Sequence, residues 1–172
     1  MSRFQELCAV IEKDRRRWID YHKQCLGFSK ELVNGLREYL QCPDGCLHCV
    51  PTAGERDPDK IYSLAGAMRL NDDPFYHFGV ILALDVYSPN ILVPFLVRKV
   101  NDTFEVRIEN VDQEFKIRED RLDELEAVYQ FVFQLIKETF ELGFQRWLEQ
   151  DKQSERPPLG FYRPLPPEEQ SP

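Results

Sequence analysis

Ile91-Leu92-Val93-Pro94-Phe95-Leu96-Val97-Arg98-Lys99-Val100-Asn101-Asp102-Thr103-Phe104-Glu105-Val106-Arg107-Ile108-Glu109-Asn110 reads as two β-strands joined by a tight turn. From Thr103 to Asn110 the alternation is unbroken. Phe104, Val106 and Ile108 fall on one side, and Glu105, Arg107 and Glu109 on the other. Successive side chains of a strand point to opposite faces, so the apolar set belongs to a core and the charged set to water. Asn101-Asp102 supplies the hairpin. Pro94 cannot donate to a ladder, so it marks an edge or a bulge.

The same pattern extends in both directions. Phe75–Tyr87 is rich in aromatic and β-branched residues and ends at Ser88-Pro89-Asn90. Asn71-Asp72-Asp73-Pro74 is a turn, and Ile61–Leu70 before it reads as a first strand weakened by Gly66. Glu114–Ile117 is a short fifth strand. Four or five strands joined by short turns form an antiparallel meander, because parallel strands need long crossovers.

Helices flank this sheet. Over residues 2–40, Phe4, Ile11, Trp18, Cys25, Leu32 and Tyr39 recur every seventh position. Leu7, Tyr21 and Phe28 fill the intermediate positions, with Asp14 and Gly35 as exceptions. That spacing predicts one long helix with an apolar stripe, or the seam of a coiled coil. Gly27 is a point for a kink or a break, after which Ser29 would cap a second helix. The last helix starts at Asp120 and runs to about Gln150. Leu122, Leu125, Val128, Tyr129, Val132, Leu135 and Ile136 make its stripe, and Phe131, Phe133, Phe140, Phe144 and Trp147 widen it beyond one face. Such a helix is sandwiched, or it shares a subunit interface. The expected fold class is therefore α+β: a long N-terminal helix, a four- to five-stranded antiparallel meander and a long C-terminal helix packed on it. Residues 1–150 form a single domain. Residues 151–172 form a proline-rich tail, expected to pack poorly.

Between the first helix and the sheet lies Cys42-Pro43-Asp44-Gly45-Cys46-Leu47-His48-Cys49, in a stretch, 41–60, whose prolines and glycines predict a loop. Thiolates gathered by a turn suit a soft metal ion. Cys42, Cys46, His48 and Cys49 are the candidate ligands and zinc the candidate ion. Structural zinc sites draw four ligands, commonly two from each of two places, and no second Cys-x-x-Cys exists here. The spacing Cys42-x3-Cys46-x2-Cys49 also matches the three-cysteine signature of radical S-adenosylmethionine enzymes. Those enzymes follow it with repeated strand–helix units, whereas a meander follows here, so that chemistry is set aside. The remaining reading is reduced thiols in a loop.

The rest of the chain carries no comparable chemistry. It has no P-loop, no dinucleotide fingerprint, no H-E-x-x-H and no nucleophile elbow. His77 alternates away from Tyr76 and Phe78 and reads as a surface residue. Asp57 and Asp59 read as solvated acids, and Asp85 is expected to pair with Arg98 or to be exposed. A net charge of −8 repels phosphate backbones, so no nucleic-acid partner is expected. Only the first forty residues are slightly basic, through Arg15-Arg16-Arg17. No apolar run approaches the ~20 residues of a membrane span, and no secretory h-region opens the chain. The expectation is a non-enzymatic cytoplasmic interaction or accessory protein, self-associating or part of a larger assembly, with a protein partner or a second copy. A small zinc-binding module built on Cys42–Cys49 is the alternative, and an enzyme using loop acids or thiols a weaker one. No cofactor is expected unless that loop binds zinc.

Overall fold

The computed structural model describes residues 2–53, 57, 60–84, 90–149 and 160–162; for 144–149 and 160–162 it describes the backbone alone. The first helix, α1, spans Arg3–Tyr39. Ser2 and Gln5 start it with a reciprocal capping box: the Ser2 hydroxyl accepts from the Gln5 N–H at 3.2 Å, and Gln5 Oε1 accepts from the Ser2 N–H at 2.8 Å. The helix continues unbroken through Gly27. A mid-helix glycine costs only about 1 kcal/mol relative to alanine. The burial of Phe28, Leu32, Val33 and Leu36 just beyond it outweighs that cost. Ser29 lies inside the helix and caps nothing; its buried hydroxyl has no hydrogen-bond partner among the described residues.

The strands are β1 (Leu47–Val50), β2 (Arg69–Leu70), β3 (Tyr76–Leu82), β4 (Asn90–Val100), β5 (Thr103–Ile108), β6 (Glu114–Arg118) and β7 (Gly160–Tyr162). They form one antiparallel sheet in the order β1-β3-β4-β5-β6, with β2 beside β3 and β7 beside β4. From β3 to β6 the order is the expected meander. A short helix, α2 (Leu64–Ala67), precedes β2. A 3-10 turn (Leu122–Glu124) leads into α3 (Leu125–Glu149).

Three departures from the sequence expectations concern where strands form. Residues 41–60 are not all loop, because β1 pairs with the fully buried β3; that partner is supplied by the fold and by nothing local. Ile61–Leu70 is mostly not strand. Tyr62 makes a single bridge to Cys49, after which the Ser63 hydroxyl accepts from the Gly66 N–H at 3.1 Å and starts α2. Pro94 is neither on an edge strand nor in a bulge. It sits opposite Gly79 of β3, at the step between Leu92, where β7 stops, and Phe95, where β5 begins. Its missing N–H thus falls where the neighbouring strand changes.

Both long helices pack on the same face of the sheet. Phe104, Val106 and Ile108 of β5 point into this core as expected, with Phe78, Val80, Phe95, Val97 and Ile117. From α1, the Phe28 ring lies flat on Phe104 with centroids 4.0 Å apart. From α3, Leu125, Val128 and Val132 complete the same cluster. Glu105 is turned away from this core, yet it is buried too. Arg98 Nε donates to its carboxylate at 2.5 Å, and the Arg98 guanidinium stacks over Phe75.

Candidate interaction surface

The sheet supports only part of α1. Tyr21 and His22 mark where support begins: both lie against Tyr76, and the Tyr21 hydroxyl accepts from the Lys99 N–H at 3.3 Å. From Cys25 onward one side of the helix is core. From Arg3 to Asp20 every residue is exposed, a length of about 27 Å. The apolar stripe does not stop where the sheet stops. Phe4 is 75% exposed, Leu7 62%, Val10 62%, Ile11 66% and Trp18 56%. At about 100° per residue these side chains occupy the same side of the helix as buried Cys25, Phe28, Leu32 and Leu36. The projecting half is a core face without a core.

At its base the helix makes a cavity of about 420 Å³ with the turn before β3. Trp18, Tyr21, Leu70 and Pro74 give it an apolar lining, and Arg17 and Asp73 stand at the same opening. His77 Nε2 lies 2.8 Å and 2.9 Å from the two Asp73 carboxylate oxygens, and the Phe75 N–H donates to Asp73 at 3.0 Å. Partial desolvation opposes ionisation of Asp73. The contacts to His77 and Phe75 outweigh it and hold the carboxyl below its usual range. His77 itself is buried and not on the surface. The turn Asn71–Pro74 was legible in the sequence. Its meeting with Trp18 and Tyr21, fifty or more residues away, carries no local signal.

Within the thiol cluster, secondary structure separates His48 from Cys49. β1 alternates, so His48 is exposed on one side while Cys49 is buried on the other. Burial pushes the Cys49 thiol up to about 11. Cys42 and Cys46 are half-buried; burial raises the Cys42 thiol, and the nearby Cys46 raises it further. Cys25 lies in the core and Cys8 on the projecting part of α1. Among the described residues no three His, Cys, Asp or Glu side chains gather as a metal-binding group. The Asp57 N–H donates to the Tyr62 hydroxyl at 3.2 Å. Asp59 and Asp85 lie outside the described residues.

The other wide apolar helix is better covered. Phe131 packs edge-on against Phe115 at 5.4 Å, and Phe133 meets Tyr39 at 6.5 Å while remaining 46% exposed. Phe140 is 44% exposed, and the side chains of Phe144 and Trp147 lie outside the described set. Among the described residues no helix is long and apolar enough to cross a membrane. No protein-family model, curated protein or solved structure matches this chain.

Proposed function

We propose that this chain is a non-enzymatic interaction protein that works as part of an assembly, and that the projecting half of α1 is its binding face. One observation carries the reading: Phe4, Leu7, Val10, Ile11 and Trp18 form an exposed apolar stripe continuous with the core face of the same helix. Scattered surface hydrophobics are ordinary, but five on one side of a projecting helix, interrupted by Asp14, mark an interface. The stripe also sits on a helix, which offers anchors at fixed spacing to a complementary surface.

The test is the size of the protein in its native lysate. Tagged wild-type chain is compared by gel filtration with a Leu7→Ser, Ile11→Ser variant. The two substituted side chains touch no core residue, so the melting temperature of the body should stay within about 1 °C, the effect of a neutral surface change. Wild type is expected to elute well above 20.4 kDa and the variant to lose that larger species. Elution of both as monomers would end the proposal.

A further inference from the structure

We propose that the stripe is covered by the same stripe of a second copy, the two helices running antiparallel, with Phe4 of each chain seated in the cavity at the base of the other's helix. This rests on the reading of the projecting half of α1 as a binding face and names its occupant.

The register follows from the spacing. Phe4, Ile11 and Trp18 repeat at seven, and Leu7, Asp14 and Tyr21 lie three residues after each. In an antiparallel pair the first set of one helix meets the second set of the other. One alignment satisfies all three repeats: Phe4 faces Tyr21, Leu7 faces Trp18, and Ile11 faces Asp14, each in both directions. Tyr21 and Trp18 are the helix walls of the cavity, whose floor the body supplies with Leu70 and Pro74. The second copy's Phe4, the most exposed ring of the stripe, therefore arrives at an apolar hollow of about 420 Å³.

Charge fits the same alignment. Arg17 and Glu6 lie along one edge of the stripe, and in this register Arg17 of one chain falls within about 3 Å, measured along the axis, of the other's Glu6. The two-fold axis makes this contact twice. The second copy's Arg3 falls level with His22, at the end of the cavity lined by Asp73, a carboxylate that remains partly exposed beside His77. Within a single helix Glu6 and Arg17 are about 16 Å apart, so neither helps the other in the isolated chain. A parallel pair has neither advantage. It leaves both cavities unfilled and sets the two Asp14 level, where the antiparallel register offsets them by about 4.5 Å along the axis. An anionic bilayer is also a poorer occupant, because Asp14 lies in the middle of the apolar side, where burial in acyl chains is costly.

The experiment is sedimentation of the purified full chain, with circular dichroism to confirm folding. Wild type is expected at twice 20.4 kDa. Arg17→Glu and Glu6→Arg should each raise the dissociation constant about ten-fold, and the double reversal should restore it, because each new charge then meets its opposite on the other copy. Phe4→Ser should weaken the pair as well. A wild-type monomer at the highest soluble concentration overturns the proposal. If the native lysate still shows a larger species that depends on Leu7 and Ile11, the occupant is then another protein and only this inference fails. A dimer insensitive to all these changes places the contact elsewhere, on α3 for example, and overturns it. Weakening by both single reversals without rescue rejects the antiparallel register.

Discussion

Gly35 of α1 lies directly beneath the Tyr129 ring of α3: a Cβ placed on Gly35 would be 2.0 Å from the Tyr129 hydroxyl oxygen and 2.6 Å from its Cζ. The same hydroxyl donates to the Glu31 carbonyl oxygen at 3.3 Å. The absence of one side chain thus lets the two long helices approach. Helix propensity alone favours alanine over glycine by about 0.5–1 kcal/mol. At Gly35 the displaced ring should reverse the sign, so that Gly35→Ala destabilises by roughly 1–3 kcal/mol. Gly27 is the control: a Cβ placed there would have nothing within 4 Å, and it sits in the same helix. Gly27→Ala should stabilise by about 0.5–1 kcal/mol. Urea unfolding of both variants checks the pair, and equal shifts would mean that the helices do not meet at Gly35.

Phe104 and Glu105 should both prove sensitive, for different reasons. Phe104 is 4% exposed and stacked on Phe28, so Phe104→Ala should cost about 3–5 kcal/mol. Glu105→Ala leaves Arg98 without its carboxylate on a covered part of the sheet. Arg98 retains some exposure and its place over Phe75, so the loss should be smaller, about 1–2 kcal/mol. A Glu105→Ala variant as stable as wild type would show that water already reaches that pair.

How far the sequence could be read follows the range of each interaction. The β4–β5 hairpin was legible because its alternation and its turn are local. Its polar side was only half legible. Alternation places Glu105 away from the core, but its burial depends on Arg98 seven residues back and on Phe75. The long stripe of α1 was legible as a stripe, yet Trp18 and Cys25 occupy equivalent positions in it. Only the extent of the sheet decides that one is exposed and the other buried. β1 carries no local signal, because Leu47–Val50 form a strand only through pairing with β3. For the same reason the spacing of Cys42, Cys46, His48 and Cys49 could suggest a ligand set, whereas β1 sends His48 and Cys49 to opposite sides. The expectation for Asp85 falls on a residue outside those described.

Residues after Glu149 should matter to the sheet, although their prolines predict a loosely packed tail. Gly160, Phe161 and Tyr162 pair with Leu92, Ile91 and Asn90 of β4. Truncation after Glu149 removes that strand and opens the start of β4, where Ile91 is buried. A loss of about 1 kcal/mol, or 2–4 °C in melting temperature, is expected for a chain of this size. An unchanged midpoint would show that β7 adds nothing to stability.

Stability should fall in alkali through Cys49. Its thiol is buried between β1 and the core, and that burial moves it from the ordinary 9.0 to about 11. The folded chain therefore holds this proton more tightly than the unfolded chain does. The stabilisation is fully present below pH 9 and is lost as pH rises from 9 to about 11, with a total on the order of 3 kcal/mol. Tyr129, raised to about 12 chiefly by burial, adds a further loss at higher pH. Cys49→Ala lowers stability at every pH by removing a buried side chain, so the absolute midpoint does not decide the matter. The slope does. Under reducing conditions the urea midpoint of wild type should drop more steeply between pH 9 and 11 than that of Cys49→Ala. Parallel curves would mean that the Cys49 thiol ionises as freely in the folded chain as in the unfolded one.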